Sequence, residues 1–166
     1  CRGLTFDIET GRVASRKFQK FFNVNEKPET NVDVIDWTRP HIVLEKLDGS
    51  MITPYRRDDE IFWCTKLGIT EVAEKVRPFI SLNPSYNEFA NFCINNEITP
   101  IFEFCSMNQR IVIQYPRDRL VLLAARNNHT GKYYSYDQLA DWAEVWGLEL
   151  VPVRQIDMSD PKAAIE

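Results

Sequence analysis

The first residues that suggest chemistry lie in the stretch Glu45–Ser50, which reads EKLDGS. Lys46, Asp48 and Gly49 form the pattern K-x-D-G, in which a lysine precedes a carboxylate and a glycine. Such a lysine can be a nucleophile that accepts a nucleotidyl group. The pattern alone is weak, because average residue frequencies produce it in about a few per cent of chains this long. Asp-Gly is also an ordinary turn dipeptide.

Nucleotidyl transfer sets further requirements that can be sought in the sequence. An amine attacks only in its neutral form, so nearby positive charge and partial burial must favour that form. Cations must also neutralise the triphosphate, and a carboxylate must fix the ribose or a metal. The sequence offers Lys66 at the end of a strand-like run, Glu103 in an apolar run, and Arg16 and Lys20 in a basic run. Their spacing does not show whether they converge.

The elements that must position these residues begin with short strands. Apolar and polar residues alternate over Leu4–Ile8, and Thr10 and Gly11 indicate a turn before a strand-like run at 12–14. Residues 23–40 are polar and predict a loop. The other strand-like runs are 41–46, 51–56, 61–66, 101–104, 110–115 and 120–125, with a hairpin turn predicted at 57–60.

Three helices are predicted from capping residues and apolar spacing. The first follows Thr70 and runs to residue 80, with Pro78 expected to end or kink it. The second opens at Pro84, and the third follows Ser135 and closes at Gly147. The order of strands, helices, strands, helix and strand lacks regular βαβ alternation. It predicts an α+β fold with antiparallel sheets flanked by helices.

The composition of the 166 residues indicates a single soluble globular domain without a membrane span. A net charge of −4 is awkward for a protein that binds nucleic acid. Residues 12–20, however, hold four basic residues and no acid. A solvated surface loop is the favoured interpretation of that run, and a phosphate-binding face is the alternative. For Arg16 and Lys17 the two interpretations stay open.

The cysteines and histidines predict no metal site. Cys1, Cys64, Cys93 and Cys105 are scattered without a C-x-x-C pair, which indicates buried thiols in a reducing cytoplasm and no zinc site. Isolated histidines, at positions 41 and 129, favour surface or structural roles. Trp142 and Trp146 have helical spacing typical of a core. Arg110 is interpreted as a solvated ion-pair partner, with contact to RNA as the alternative.

Glu103 lies between Phe102 and Phe104 in a strand-like run. Because side chains alternate between the faces of a strand, the carboxylate is expected on the face opposite both rings. Either a pocket or water could receive it there.

Ordered blocks along the chain resemble the RNA ligase 1-type family, the tRNA-repairing RNA ligases of T-even phages. The blocks are CRGLTF at 1–6, RVASR at 12–16, KFFN at 20–23, KLDGS at 46–50, TKLG at 65–68, IFEF at 101–104, N-x-RIVI-x-Y at 108–115, VLLAAR at 121–126 and TGKYYSYD at 130–137. So many blocks in one order make a chance similarity remote. The resemblance implies a nucleotidyltransferase domain of the ligase and capping-enzyme type, unrelated to ATP-grasp.

The resemblance also implies roles for individual residues. Lys46 would attack the α-phosphate of ATP and form a lysyl-adenylate, with Asp48 and Glu103 as the other catalytic residues. Glu103 is expected near the ribose or a metal-bound water. Residues expected to contact the nucleotide are Arg2 and Lys20 at the β- and γ-phosphates, Glu45 at the adenine amino group, and Leu47, Gly49 and Lys66. Mg²⁺, or Mn²⁺, would bridge the phosphate oxygens, and no protein metal ligands are assigned.

For the whole protein, the resemblance implies an ATP-dependent RNA ligase that joins 5′-phosphate and 3′-hydroxyl ends through an RNA-adenylate. Its substrate would be RNA, tRNA above all, prepared by a polynucleotide kinase-phosphatase in the cytoplasm, of the host cell for a phage protein. Two later family motifs and a C-terminal domain are absent from residues 1–166, so the chain is expected to be a partial adenylyltransferase domain with little activity of its own. Nothing in the sequence indicates an oligomeric state.

Two alternatives remain open at this stage. A DNA ligase or a GTP-using capping enzyme would share the K-x-D-G pattern. A non-catalytic fragment that binds nucleotide or RNA would explain the missing motifs.

Overall fold

The computed structural model describes residues 3–107, 113–157 and 160–165, and Arg2 and Arg110 therefore lie outside the described residues. The strands are β1 Leu4–Phe6, β2 Val13–Arg16, β3 Ser50–Arg57, β4 Glu60–Cys64, β5 Ile98–Cys105, β6 Arg119–Asn127 and β7 Glu149–Leu150. The α-helices are α1 Glu71–Leu82, α2 Pro84–Asn95, α3 Tyr136–Trp146 and α4 Pro161–Ile165, with a 3-10 turn at Pro28–Thr30.

The chain divides into two compact units. The sheet unit comprises the residues up to Phe18 and Leu47–Val151, and the small unit comprises Gln19–Lys46 and the residues from Pro152 onward. The sheet unit holds the hairpin β1-β2 and a five-stranded sheet in the order β4-β3-β5-β6-β7. Every pair is antiparallel except β6 with β7. The predicted α+β fold with mainly antiparallel sheets is confirmed.

The core of the sheet unit lies between the five-stranded sheet and the helices α1–α3. Its fully buried members include Phe89 of α2 with Phe102 and Leu122 of the sheet. Trp142 and Trp146 pack against this core, as their spacing predicted. Burial of this large apolar area contributes most of the free energy that holds the helices on one face of the sheet.

The helix boundaries follow the predicted capping signals. The hydroxyl of Thr70 accepts from the amide of Ala73, the hydroxyl of Ser135 accepts at the start of α3, and Gly147 ends that helix in the left-handed conformation. Pro78 does not end α1, because the helix continues to Leu82. Pro78 lies on the exposed face, so the carbonyl that it leaves without a helical donor can reach water.

The small unit differs from the prediction at residues 41–46. These residues form a single bridge, between Leu44 and Val153, in place of a strand. The amide of Glu45 donates to the carbonyl of Pro152, and the amide of Arg154 donates to Val43. Pro152 has no amide hydrogen to donate, so the ladder cannot extend past it. The loop prediction for residues 23–40 is confirmed apart from the 3-10 turn.

Helices long and apolar enough to cross a bilayer are absent from the described part of the chain.

Candidate functional site

The start of β3 is fixed to the end of β5 by a hydrogen bond from the K-x-D-G segment. Ser50 lies opposite Phe104 in the antiparallel register, and Met51 lies opposite Glu103. The residue before the strand, Gly49, donates its amide to Oε1 of Glu103 over 3.1 Å. The structure therefore joins two of the residues whose convergence the spacing could not establish. We call Asp48, Gly49 and Glu103 the β3 corner.

Gly49 is required by a close backbone approach. A Cβ at this position would overlap the carbonyl oxygen of Phe104, lie 2.9 Å from its carbon and 3.1 Å from Cγ of Glu103. The interpretation of Asp48-Gly49 as an ordinary turn dipeptide therefore misses the role of the glycine, which lets two strands meet without a side chain between them.

Asp48 is held by hydrogen bonds at both its backbone and its side chain. Its amide donates to the hydroxyl of Tyr115 over 3.0 Å, and its Oδ2 accepts from the amide of Ile113 over 2.7 Å. These contacts orient the carboxylate through a segment more than sixty residues further along the chain. The predicted strand at 110–115 is absent over residues 113–115, and its earlier part lies outside the described residues.

Tyr115 is a site residue to which the sequence analysis gave no role. Its side chain is buried, with 8% of the residue exposed, and it shares a hydrogen bond with the thiol of Cys105. Burial raises the pKa of Tyr115, and burial likewise raises the pKa of Cys105. Both groups therefore stay protonated at neutral pH. The tyrosine belongs to the block at 108–115, but its residue type and spacing carry no signal of a contact with Asp48.

Glu103 lies on the predicted face of β5. Phe102 and Phe104 are buried against the helices, whereas Glu103 is partly exposed on the opposite face. The alternation prediction is confirmed. Because its Oε1 accepts from Gly49, the carboxylate is held close to the K-x-D-G segment.

Lys46 is exposed and is the last residue of the small unit in the first part of the chain. The next residue, Leu47, is 7% exposed and anchors the chain in the sheet unit. Within the described residues, the Lys46 side chain forms no hydrogen bond or ion pair. The amine is therefore available to a reactant, next to a chain that is firmly fixed from Leu47 onward.

The remaining predicted nucleotide contacts fall in both units. In the small unit, Oε1 of Glu45 pairs with Arg154 at 3.2 Å, and Nζ of Lys20 lies 4.5 Å from the ring centre of Phe22. In the sheet unit, Lys66 is exposed in the tight turn that Thr65 closes with Gly68. Arg2 lies outside the described residues.

Arg16 and Lys17 do not lie in a solvated loop, which was one of the two interpretations open for them. Arg16 belongs to β2 and is partly buried, and Lys17 is only 3% exposed. Nζ of Lys17 donates to the hydroxyl of Thr5 over 3.1 Å. The strand places Ser15 and Lys17 on its buried face, an alternation that the charge of the run obscures.

No cluster of three or more His, Cys, Asp or Glu side chains that could hold a metal occurs among the residues described. Cys64, Cys93 and Cys105 are buried and not disulfide-bonded, as predicted. His41 and His129 are exposed, as predicted.

Comparisons with known proteins agree on one family. A family model described as RNA ligase matches residues 1–165. A Thermovibrio ammonificans protein, provisionally named an RNA ligase, is 35% identical over 133 residues, which cover 80% of this chain and 35% of that protein. An Autographa californica nuclear polyhedrosis virus protein, provisionally named a bifunctional polynucleotide kinase/RNA ligase, is 31% identical over 153 residues, which cover 81% of this chain and 22% of that protein. The chain thus spans about a third or less of these relatives.

Solved structures show the same fold at low sequence identity. A mutant of the Naegleria gruberi RNA ligase with ATP and Mn matches with a TM-score of 0.54 and 20% identity, over 69% of this chain and 35% of that chain. An archaeal ATP-dependent RNA ligase matches with a TM-score of 0.53 and 15% identity, over 69% of this chain and 31% of that chain. The predicted nucleotidyltransferase fold is therefore confirmed.

Proposed function

The chain belongs to the RNA ligase family, and on this premise we propose that it carries the adenylyl-transfer site of an ATP-dependent RNA ligase, with Lys46 as the nucleophile. The observation that supports the proposal most directly is the β3 corner. The residues that follow Lys46 are fixed through Gly49 to Glu103, with the carboxylate of Asp48 oriented beside them. Lys46 supplies an exposed amine, and the sheet unit supplies two carboxylates held by backbone hydrogen bonds. These are chemical groups that nucleotidyl transfer requires.

The proposed reaction has three steps. The neutral Nζ of Lys46 attacks the α-phosphorus of ATP; an N–P bond forms, the bond to the bridging oxygen of the β-phosphate breaks, pyrophosphate leaves and Nζ gives a proton to water. An oxygen of an RNA 5′-phosphate then attacks the same phosphorus, and Lys46 departs and regains a proton. Last, an RNA 3′-hydroxyl attacks the 5′-phosphorus, loses its proton and releases AMP.

Residue roles follow from this scheme. Asp48 and Glu103 would position the reacting groups, Leu47 would anchor the chain that carries the nucleophile, and Gly49 would let the β3 corner close. Glu45 is the proposed contact of the adenine amino group. Three further cations, Arg2, Lys20 and Lys66, are proposed to offset negative charge on the phosphates.

We propose Mg²⁺ or Mn²⁺ as the metal, bound chiefly through the phosphates. Mg²⁺ commonly binds through one or two carboxylates plus substrate phosphates, so a cluster of three protein ligands is not required. Asp48 or Glu103 could supply a carboxylate oxygen. When bound, the metal would neutralise charge that builds on the leaving pyrophosphate.

RNA with 5′-phosphate and 3′-hydroxyl ends is the proposed substrate, and tRNA remains the candidate that the family resemblance suggests. The viral relative combines a polynucleotide kinase with an RNA ligase in its name, which supports a kinase-phosphatase as the source of such ends. The buried, unpaired thiols fit a reducing cytoplasm as the proposed location.

Covalent labelling of the full-length protein with α-labelled ATP tests the proposal. We expect a labelled protein whose label is lost by at least about a thousandfold in Lys46→Ala, because no other nucleophile replaces the amine. Lys75→Ala removes an exposed lysine of the sheet unit and is the control. Nick-sealing assays on RNA and DNA ends should then show a preference for RNA.

Three results would reject the proposal in different ways. Labelling with GTP alone would favour a capping enzyme. Sealing confined to DNA ends would favour a DNA ligase. A full-length protein that accepts no label would favour a non-catalytic binding domain.

A further inference from the structure

A second cluster of cations lies in the sheet unit away from the K-x-D-G segment. It is formed by Arg12, just before β2, by Arg16, the last residue of β2, and by residues 127–133, from the end of β6 into the loop that follows it. We call these residues the β2–loop surface. The proposed ligase chemistry assigns no role to them.

Arg16 is held by hydrogen bonds at its Nε and its backbone amide, and its terminal guanidinium nitrogens are left to bind a ligand. Its Nε donates to the carbonyl of Asn128 over 2.9 Å, and its amide donates to the hydroxyl of Thr99 over 2.9 Å. That hydroxyl donates in turn to Oδ1 of Asn128 over 2.7 Å. The terminal nitrogens of Arg16 have no hydrogen-bond partner among the described residues. A positioned guanidinium with free donors suits bidentate binding of a phosphate.

A second guanidinium lies close to the first. The point where a Cβ of Gly131 would stand is 3.3 Å from Nη1 of Arg16 and 3.2 Å from Nη2 of Arg126. Arg126 is only 7% exposed and donates to the carbonyls of Lys17 and Gly131. Neither arginine forms an ion pair with a described carboxylate. Two cations this close repel each other, so an anion beside Arg16 would relieve the repulsion.

A cavity of about 160 Å³ opens next to Arg16. Its walls are formed by Arg12, Val13, Arg16, Glu97, Asn128 and His129. The carboxylate of Glu97 contacts Nε2 of His129 at 2.5 Å. The volume corresponds to about five waters, which leaves room for one phosphate group.

An aromatic ring extends the β2–loop surface. The guanidinium of Arg126 lies 4.6 Å from the ring centre of Tyr133, and Phe18 stacks on the same tyrosine at 6.1 Å. Tyr133 is 42% exposed, so a face or edge of its ring can meet a ligand. Cations beside an exposed aromatic ring are the pattern by which proteins bind single-stranded nucleic acid.

The loop is held by hydrogen bonds among its own residues. Oδ1 of Asn127 accepts from the amides of His129 and Thr130, and the amide of Asn127 donates to the carbonyl of Lys132. Little conformational entropy would be lost on binding, which favours affinity.

Strand β5 contacts both the β2–loop surface and the β3 corner. Thr99, which contacts Arg16, and Glu103 are on the same face of β5. Four residues of strand separate them by about 13 Å.

We propose that the β2–loop surface binds a phosphodiester of the RNA substrate, with Arg12 and Arg16 on the phosphate and Tyr133 against a base. The proposal rests on the proposed RNA ligase function, and it adds an RNA contact distinct from the nucleotide phosphates. An acidic protein segment would also bind two arginines, but it would gain nothing from the adjacent exposed ring.

The test compares full-length wild type with Arg12→Gln/Arg16→Gln, in which a glutamine can still donate to the carbonyl of Asn128. Arg57→Gln/Arg77→Gln removes the same charge from two exposed arginines elsewhere in the sheet unit and is the matched control. Binding of a fluorescent single-stranded 5′-phosphorylated RNA is measured by anisotropy over a salt series. We expect the Kd of the test variant to rise about tenfold or more, and the slope of log K against log salt to fall by about 0.7 for each lost phosphate contact.

Labelling of Lys46 with α-labelled ATP needs no RNA, and it should be equal in wild type and both variants. The same thermal midpoint in all three proteins would exclude unfolding as the cause of weaker binding. A test variant that binds RNA within twofold of wild type overturns the inference. Polyglutamate is the probe for an acidic protein segment. Loss of polyglutamate binding in the test variant, with RNA binding intact, would also overturn the inference. A wild type that takes no label while the test variant loses RNA affinity would reject the ligase proposal and leave the RNA site standing.

Discussion

Gly49 and Glu103 are joined by a hydrogen bond of 3.1 Å from a backbone amide to a carboxylate. The residues are distant in sequence, and the antiparallel pairing of β3 with β5 brings them together. The bond links the segment that carries the proposed nucleophile to the carboxylate that the family resemblance places at the nucleotide. A substitution at either residue should therefore alter the position of the other.

Gly49→Ala should damage both the fold and the chemistry. The new methyl group would overlap the carbonyl of Phe104, so β3 and β5 must separate. We expect the free energy of unfolding to fall by about 2–4 kcal/mol and labelling of Lys46 to fall by at least about a hundredfold. Gly11→Ala is the control, because that Cβ meets no atom and the cost of its left-handed backbone is about 1 kcal/mol. Equal losses in the two variants would contradict the close-approach argument.

Two substitutions at Glu103 should separate its structural and catalytic roles. Glu103→Gln keeps an oxygen that can accept from Gly49, so urea unfolding should change by less than about 1 kcal/mol. Glu103→Ala removes the acceptor and should cost about 1–3 kcal/mol. Both variants lose the negative charge, and RNA joining should fall by about a hundredfold or more in each. If Glu103→Gln joined RNA at the wild-type rate, a role for the carboxylate charge would be excluded.

Tyr115→Phe should show a defect that depends on pH. The phenylalanine cannot accept from the amide of Asp48, so at pH 7 the variant should lose about 1–2 kcal/mol. Burial raises the pKa of Tyr115 above 10 in the folded state, so the stability that it contributes is complete below pH 10 and declines as the pH rises through the folded value. The difference between wild type and variant should narrow above pH 10. A gap that widens there would contradict the assignment.

Removal of the two buried cations, Lys17 and Arg126, should affect the free energy of unfolding in different directions. Lys17 donates to a hydroxyl and has no ion pair among the residues described, so Lys17→Met should leave the free energy of unfolding unchanged or raise it by about 1 kcal/mol. Arg126 satisfies the carbonyls of Lys17 and Gly131, and Arg126→Met should cost about 2–4 kcal/mol. Urea unfolding measures both. The reverse order would show that the buried ammonium is the stabilising group.

Much of the fold could be predicted because local signals and packing agree. Thr70, Ser135 and Gly147 mark helix ends by capping chemistry, and the alternation around Glu103 gives its face of β5 correctly. These signals depend on near neighbours in the chain. They fail at residues 41–46, where an apolar run suggests a strand but Pro152 limits its partner segment to a single bridge.

The site was predictable in its residue types and not in its contacts. The roles of Lys46, Asp48 and Glu103 come from the family resemblance and remain predictions. The contact of Gly49 with Phe104, and that of Tyr115 with Asp48, depend on strands and loops far apart in sequence. The burial of Lys17 in the basic run could not be predicted for a similar reason. Which face of β2 is buried depends on the residues that pack against it and not on the charge of Lys17.

The bridge between Leu44 and Val153 has a consequence for synthesis. The segment just before Lys46 pairs with residues made roughly a hundred positions later, so a nascent chain holds that segment unpaired for about 5–20 s at typical elongation rates. Contacts between such distant segments also form late in refolding. Lys46, the proposed nucleophile, is therefore among the last parts of the small unit to gain its native surroundings.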